Sequence, residues 1–380
     1  MHKDKYVFAQ LVEFLDRNHF NYLVGKYQGD RYIKSFSCWN QLLVMMFGQL
    51  AKSESLRDLI VALEAHWKKL YHLGMGKSVT HSNLSKANEQ RDYHIFEDFT
   101  YRLVAEARSK CTETIFGFKG HVYAFDSTTI DLCLEIFQWA KFRKHKGGIK
   151  VHVLYDVEAH IPAFFHITSA NVNDVKVMPE IPYEKEAFYI FDSLYKIDLI
   201  EATFVVRAKS NLQFKQITWK RRLPKNIISD SIIKFVVYKS SKESPIPLRR
   251  VVYYDEEQNR EFVFLTNNFE LSALTIAELY RNRWQIELFF KWLKQHLKIK
   301  KFWGTSENAV RIQIYCAITT YCLVAIVKYN MKLERSVYEI LQIISISLTD
   351  KTHLRDLFDK SNINNVNERS GYSEPNLFNF

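Results

Sequence analysis

The sequence predicts a mixed α+β to α/β chain in two parts. A helical N-terminal domain covers residues 1–115. A mixed domain covers 116–345 and is interrupted by a β-rich insertion at about 211–265. Three observations carry this prediction. Apolar residues recur at helical spacing before residue 115. Short β-rich runs that close on acidic residues replace them after Gly117. Lysine- and serine-rich turns then separate short strands until a helical pattern returns after Asn267. Residues 346–380 read as a C-terminal tail, dimerising or poorly ordered, and rich in Asn and Ser from Lys360.

Within the first part, Asn40–Leu50 is an apolar run. Ser55 is placed to cap a helix over Leu56–Trp67, with Asp58 three residues on and Leu59, Ile60, Leu63 and Trp67 on one face. Gly74 and Gly76 break the pattern. The short polar and basic segment Val79–Arg91 that follows has the character of a groove-entering helix, and equally of an ordinary solvated one. In the second part, strands are expected at His121–Leu132, Ile149–Tyr155, Ala163–Thr168, Ala187–Asp192 and Ala202–Ala208. Ile232–Tyr238, Arg250–Tyr254 and Glu261–Leu265 follow inside the insertion, and helices run from Asn267 to Lys298 and from Glu307 to Tyr329.

Composition narrows the function. Of the 380 residues, 47% are apolar and 25% charged, which excludes a disordered or collagen-like chain. A formal net charge of +11 favours a polyanionic partner. Five widely spaced cysteines with no C-x-x-C pair argue against a disulfide framework or zinc finger and for reduced, buried thiols in the cytoplasm. The first residues lack a signal-peptide pattern. The uncharged stretch Ile312–Val327 is shorter than a bilayer span and reads as a buried helix, so no membrane partner is expected.

The chemistry points to carboxylates. Asp126 and Asp192 each close an apolar strand and open a polar turn, in Tyr-Ala-Phe-Asp-Ser-Thr and Tyr-Ile-Phe-Asp-Ser. Acids at the ends of adjacent strands can converge on a hard cation such as Mg²⁺, although Asp also caps turns. On a continuous helix from 272 to 298, Tyr280, Arg283, Glu287 and Lys294 share one arc roughly 60° wide at about 100° per residue. Leu279, Ile286, Phe290, Leu293 and Leu297 form a second arc that can face a core. Surface ion pairs explain Arg283 and Glu287 but not the tyrosine and lysine on the same line. Three carboxylates can hold two divalent ions at a phosphodiester, with Arg283 and Lys294 neutralising flanking phosphates and Tyr280 donating to a phosphate or stacking. Lys291, Lys294 and Lys298, with Lys300 and Lys301, make one basic run; Arg143, Lys144, Lys146 and Lys150 make another, and both are candidate DNA contacts. The histidines 145, 152, 160 and 166 lack metal-binding spacing and read as core or surface residues.

Tyr280-x-x-Arg283-x-x-x-Glu287-x-x-x-x-x-x-Lys294 resembles the Y-(2)-R-(3)-E-(6)-K signature of DDE transposases of the insertion-sequence-four (IS4) group. The blocks Asp126–Leu132, Trp139–Arg143 with Lys146–Lys150, and Trp303–Val310 resemble that group too, and the likeness covers about residues 5–345. The resemblance implies an RNase H-like catalytic domain with its β-rich insertion before the last acid, and a triad of Asp126, Asp192 and Glu287. It implies cut-and-paste transposition, dependent on two Mg²⁺ ions for which Mn²⁺ can substitute. It also implies a homodimer on double-stranded DNA that frees a 3′-hydroxyl at each terminal inverted repeat, often through a hairpin, and joins it to target DNA. The compartment implied is the cytoplasm, at the nucleoid. In such enzymes an aromatic residue of the insertion can stabilise a flipped base, and Trp219 is the only tryptophan there. The chain departs from the group in one place. The basic-Gly-Tyr stretch after the second Asp has no counterpart, since Asp192 runs straight into Ser193-Leu194-Tyr195-Lys196. A shortened connection beside a metal ligand is expected to weaken catalysis. The alternative is therefore a non-catalytic DNA-binding protein, a decayed or repurposed copy. A nuclease acting on RNA–DNA hybrids is the remaining option.

Overall fold

A computed structural model describes residues 5–76, 79–111, 115–143, 146–192, 202–208, 212–236, 246–296 and 302–359. The chain begins with six helices: α1 (Val7–Val12), α2 (Arg17–Lys26), α3 (Cys38–Leu50), α4 (Leu56–Ala65), α5 (His81–Gln90) and α6 (His94–Lys110). Their starts follow local chemistry. Ser37, Ser55 and Thr80 accept the backbone N–H three residues on, from Asn40, Asp58 and Asn83. Ser55 thus caps α4 as the sequence predicts.

Strands β1 (Val122–Leu132), β2 (Lys141–Arg143), β3 (Lys146–Asp156) and β4 (Ile161–Ser169) follow. After the short helix α7 (Asp174–Val177) come β5 (Phe188–Phe191) and β6 (Thr203–Arg207). The order β4-β3-β1-β5-β6 sets three antiparallel strands beside two parallel ones, which is an RNase H-like sheet. The insertion is a meander of β7 (Phe214–Trp219), β8 (Ile227–Phe235), β9 (Leu248–Asp255) and β10 (Arg260–Thr266). It adds to the same sheet, because β10 pairs antiparallel with β6. β2 and β7 were not anticipated. β2 has only three residues, and β7 is exposed along most of its length, so neither carries an apolar alternation.

The last third is helical: α8 (Ala273–Arg281), α9 (Trp284–His296), α10 (Glu307–Met331), α11 (Val337–Ser347) and α12 (Leu354–Phe358). The single helix expected over 272–298 is divided at Asn282 and Arg283. There the backbone tightens to i→i−3 bonds, from Arg283 N to Tyr280 O and from Ile286 N to Arg283 O. The Asn282 side chain competes for the backbone by donating to Glu278 O and accepting from Gln285. The final helices also correct the expected tail. Leu348, Leu354 and Phe358 are buried, and Val7 and Phe8 donate to Asp350 O and Leu348 O. Residues 360–380 lie outside the described residues.

Two cores flank the sheet. One face of β1, carrying Val122 and Ala124, packs with α1–α6, α9 and α10; the opposite face, carrying Tyr123 and Phe125, packs with Val177 and Met178. The N-terminal helices therefore have no core of their own. α10 runs through the shared one, where Thr319 and Thr100 hydroxyls meet at 2.8 Å and Asn308 donates to Asn88 O and Arg91 O. Gly48 of α3 allows the close approach, since a Cβ there would stand 2.6 Å from Trp303. α10 is long and apolar enough to cross a membrane, but 94% of its most apolar window is buried against the protein, so it is a core helix. Of the cysteines, Cys38, Cys316 and Cys322 are buried as expected. Cys133 is exposed and Cys111 half-buried, because they sit beyond the ends of β1 and α6.

Candidate active site

The parallel register that seats β5 beside β1 ends at Ala124 and Ile190, so Asp126 and Asp192 stand just past it. Asp192 follows the end of β5 as expected, but Asp126 does not close a strand, since β1 runs on to Leu132 in pairing with β3 and Asp126 sits opposite Val153. Alternation along β1 turns Asp126 toward the face covered by α9. The turn between α8 and α9 brings Arg283 to the same place. Its guanidinium donates to Asp126 Oδ2 at 2.8 Å and to Glu287 Oε1 at 2.6 Å. The Tyr280 hydroxyl donates to Asp192 Oδ1 at 3.1 Å, and the Tyr280 ring lies 5.8 Å from the Arg283 guanidinium. Two elements of one short segment thus collect three acids that lie 66 and 95 residues apart in the chain.

The electrostatics agree with this geometry. Burial raises the pKa of Asp126 above the usual carboxylate range; the Ser127 N–H, 2.8 Å from Oδ1, and Arg283 offset this only in part, and the charges of Asp174 and Asp192 add to it. Burial works against the charge on Arg283, but Tyr280 and the three acids outweigh it and leave the guanidinium pKa above its ordinary value. The Tyr280 hydroxyl is pushed up to about 12, first by burial and then, against Arg283, by Asp192. It stays a donor at any physiological pH.

Hard carboxylate oxygens are the donor type a divalent ion takes. No three acids, histidines or cysteines among the described residues close around a common point. Arg283 bridges Asp126 and Glu287 and supplies positive charge there. The three carboxylates fit a divalent ion in chemistry.

Beside the acids a cavity of about 840 Å³ runs along α8 and the β9–β10 hairpin, lined by Tyr280, Arg283, Trp284, Glu287, Arg207 and Phe262 among others. Phe262 lies under two guanidiniums, Arg260 at 4.2 Å and Arg207 at 5.3 Å. Trp284 is 59% exposed. Nothing in the sequence marks this tryptophan beyond its place directly after Arg283.

The other expected site residues are placed less uniformly. Lys291 and Lys294 are exposed on α9. Lys298 and the side chains of Arg143 and Lys146 lie outside the described residues, as does the connection 193–201 after Asp192. Lys150 is only 15% exposed in its side chain and stands 4.0 Å from Asp174 Oδ1, on the face of the sheet away from Asp126, because it alternates with the core residues Ile149 and Val151. It is no free phosphate contact. Trp219 is exposed on the edge strand β7, six strand positions from β1 and so roughly 29 Å away at about 4.8 Å per strand. It is not gathered with the acids. His152, expected as a core or surface residue, is wholly buried with Nδ1 2.8 Å from Asp174 Oδ1, and no sequence pattern marks Asp174.

Comparison with known proteins identifies this arrangement. A family model described as "Transposase DDE domain" matches residues 117–323, and one described as a domain of unknown function matches residues 3–76. A transposase-named protein of Sinorhizobium fredii, y4zB, is 36% identical over 255 residues, 64% of this chain and 70% of its own. A protein of Geobacillus stearothermophilus, named as a transposase of insertion sequence element IS5377, is 29% identical over 296 residues, 72% of this chain and 76% of its own. One from Synechocystis, named for element IS4SA, is 27% identical over 257 residues, 65% of this chain and 72% of its own. With its RNase H-like sheet and a matching family model across more than half its length, the chain belongs to the DDE transposases, of the insertion-sequence-four type.

Proposed function

We propose that this transposase excises and joins an insertion sequence by cut-and-paste chemistry, with Asp126, Asp192 and Glu287 as the acids that hold two Mg²⁺ ions, or Mn²⁺ in their place. The single observation that carries the reading is the convergence of the three acids on Arg283 and Tyr280. When bound, such an ion pair activates the attacking oxygen and stabilises the leaving one at a phosphodiester. Arg283 turns from the acids to a phosphate of the DNA end, where its planar fork suits two oxygens. Tyr280 keeps Asp192 oriented. Lys291 and Lys294, with Lys298, Arg143 and Lys146, neutralise the flanking backbone. Trp284, rather than Trp219, is the aromatic beside the site.

Residues 1–115 bind the terminal inverted repeats. A cavity of about 500 Å³ between residues 27–36 and α5 supports this, with Arg31, Lys34 and Lys86 on its rim and Tyr32 87% exposed. The protein acts as a homodimer on its ends in the bacterial cytoplasm, at the nucleoid, and the residues beyond Lys360 are candidates for the dimer contact.

The test is cleavage of duplex DNA bearing the element's own ends. Cleavage that requires Mg²⁺ or Mn²⁺ and disappears in Glu287→Gln is expected. Specific end binding without cleavage, indifferent to Glu287→Gln, would instead assign a non-catalytic DNA-binding role.

A further inference from the structure

The cavity between residues 27–36 and α5 has one wall of side chains with nothing to hold. Asn83, Lys86 and Gln90 of α5 are exposed and line it together. At about 100° per residue they share one arc roughly 60° wide. None of these three side chains forms a hydrogen bond or ion pair among the described residues; only the Asn83 backbone is engaged, by the Thr80 cap. The opposite face of α5 is anchored. Leu84 and Asn88 are buried, Asn88 accepts from Gln41 at 2.7 Å, and Gln41 accepts from Arg91 at 2.8 Å. Arg91 also donates to Phe36 O and stands 3.7 Å from Asp30, so one buried guanidinium fastens the facing wall to the foot of α5. The two walls are thereby fixed relative to each other before a ligand enters.

The facing wall is basic. Arg31 and Lys34 are exposed on it, and Arg31 lies 5.0 Å over the Tyr32 ring and donates to its hydroxyl at 3.2 Å. Tyr32 is held out in the left-handed region, at φ 62°, which bulky residues avoid. Asp92, which also lines the cavity, is already taken by the His94 backbone N–H and ring. A merely solvated helix face is braced by ion pairs at i, i+4, whereas this one carries two amides and a lysine. Amide side chains pair with N6 and N7 of adenine in the major groove, and lysine pairs with O6 or N7 of guanine. We propose that α5 reads base edges of the terminal inverted repeat through Asn83, Lys86 and Gln90, while Arg31 and Lys34 hold the neighbouring phosphates. The proposal rests on residues 1–115 binding the ends, and adds which side chains discriminate sequence there. From Asn83 to Gln90 the helix rises roughly 10 Å at about 1.5 Å per residue, the length of about three base pairs at about 3.4 Å each. The bases read therefore form one contiguous block.

The full-length chain tests this by fluorescence anisotropy in EDTA, where binding is read without cleavage. The probes are a labelled duplex carrying the element's own inverted repeat and a panel in which each base pair is replaced in turn. Wild type is expected to lose about tenfold in affinity for replacements within one block of about three base pairs. Asn83→Ala and Gln90→Ala each remove that penalty at one position of the block and keep the wild-type denaturation midpoint. Lys34→Ala weakens every duplex alike and lowers the salt slope of binding by about one. Asn83→Ala and Gln90→Ala profiles that match wild type at every position overturn the proposal, even where Lys34→Ala behaves as stated. Failure of the underlying reading looks different: wild type does not distinguish its own end from an unrelated duplex, or Lys34→Ala changes neither affinity nor salt slope, and the proposal falls with it.

Discussion

Two arginine–carboxylate clusters in this protein use the same groups to opposite ends. In the insertion, Arg249 and Asp230 form a two-pronged pair at 2.8 and 2.8 Å, with side chains 2% and 4% exposed. The remaining Arg249 donor reaches Leu271 O at 2.6 Å, which ties β9 to the loop ahead of α8. At the candidate active site, one Arg283 guanidinium is divided between Asp126 and Glu287, whose side chains are 25% and 40% exposed beside an open cavity. A closed, saturated pair braces a fold. A cation stretched across several acids at a cavity leaves charge that a ligand can take over. Saturation and access, rather than residue type, separate the structural pair from the functional one.

The largest effect is expected where the closed pair is broken. Asp230→Ala leaves Arg249 buried without its partner and should cost about 3–5 kcal/mol, read as a lower midpoint in urea denaturation. Glu287→Gln should do the reverse. Cleavage falls by about a hundredfold or more, the scale for losing one preorganised charge, while the denaturation midpoint stays near wild type. Should Glu287→Gln unfold the chain as Asp230→Ala does, the contrast between the clusters disappears. Arg283→Lys replaces the fork that spans two acids by a point charge, and should cut cleavage by about tenfold with little loss of stability. The smallest change is Lys220→Ala. Lys220 meets Asp230 at 3.1 Å but is 58% exposed, so at most about 1 kcal/mol is lost, and less in high salt.

Acidity sharpens the same contrast. Burial would raise the pKa of Asp230, but Arg249 and Lys220 outweigh it and depress it. Its contribution is therefore complete above the unfolded value, near pH 4, and is lost as pH falls through the lower folded value. The denaturation midpoints of wild type and Asp230→Asn should converge below about pH 4. Asp126 has the opposite sign. Its folded pKa is raised, so the stability it contributes is present below pH 4 and fades as pH rises through that folded value. Asp126→Asn should therefore not destabilise the fold at neutral pH. A lower midpoint in that variant would show that Asp126 braces the structure.

Much of this was legible in the residues. The strand-end position of Asp192 and the spacing of Tyr280, Arg283 and Glu287 depend on local periodicity, which a sequence displays directly, whereas Asp126 lies within β1 because pairing with β3 carries the strand on to Leu132. The partners of those side chains were not legible. Arg283 and Tyr280, read as phosphate contacts, meet acids 157 and 88 residues away. Asp174 and His152 are ordinary in sequence, and only the packing of α7 over β3 and β4 joins them. Lys150 looked like part of a basic run until strand alternation turned it inward. Trp219 drew attention by its rarity in the insertion, while Trp284 was hidden inside the motif.

By itself the sequence determined the order of helices and strands, the basic character of the chain and the identity of its acids, because caps, periodicity and charge act over a few residues. Only the tertiary structure decided that the insertion extends the central sheet, that the N-terminal helices share a core with α10, and that one guanidinium bridges two acids. Those outcomes depend on edge pairing and on burial between segments far apart in the chain, where many pairings satisfy the same local pattern and only the packed whole selects among them.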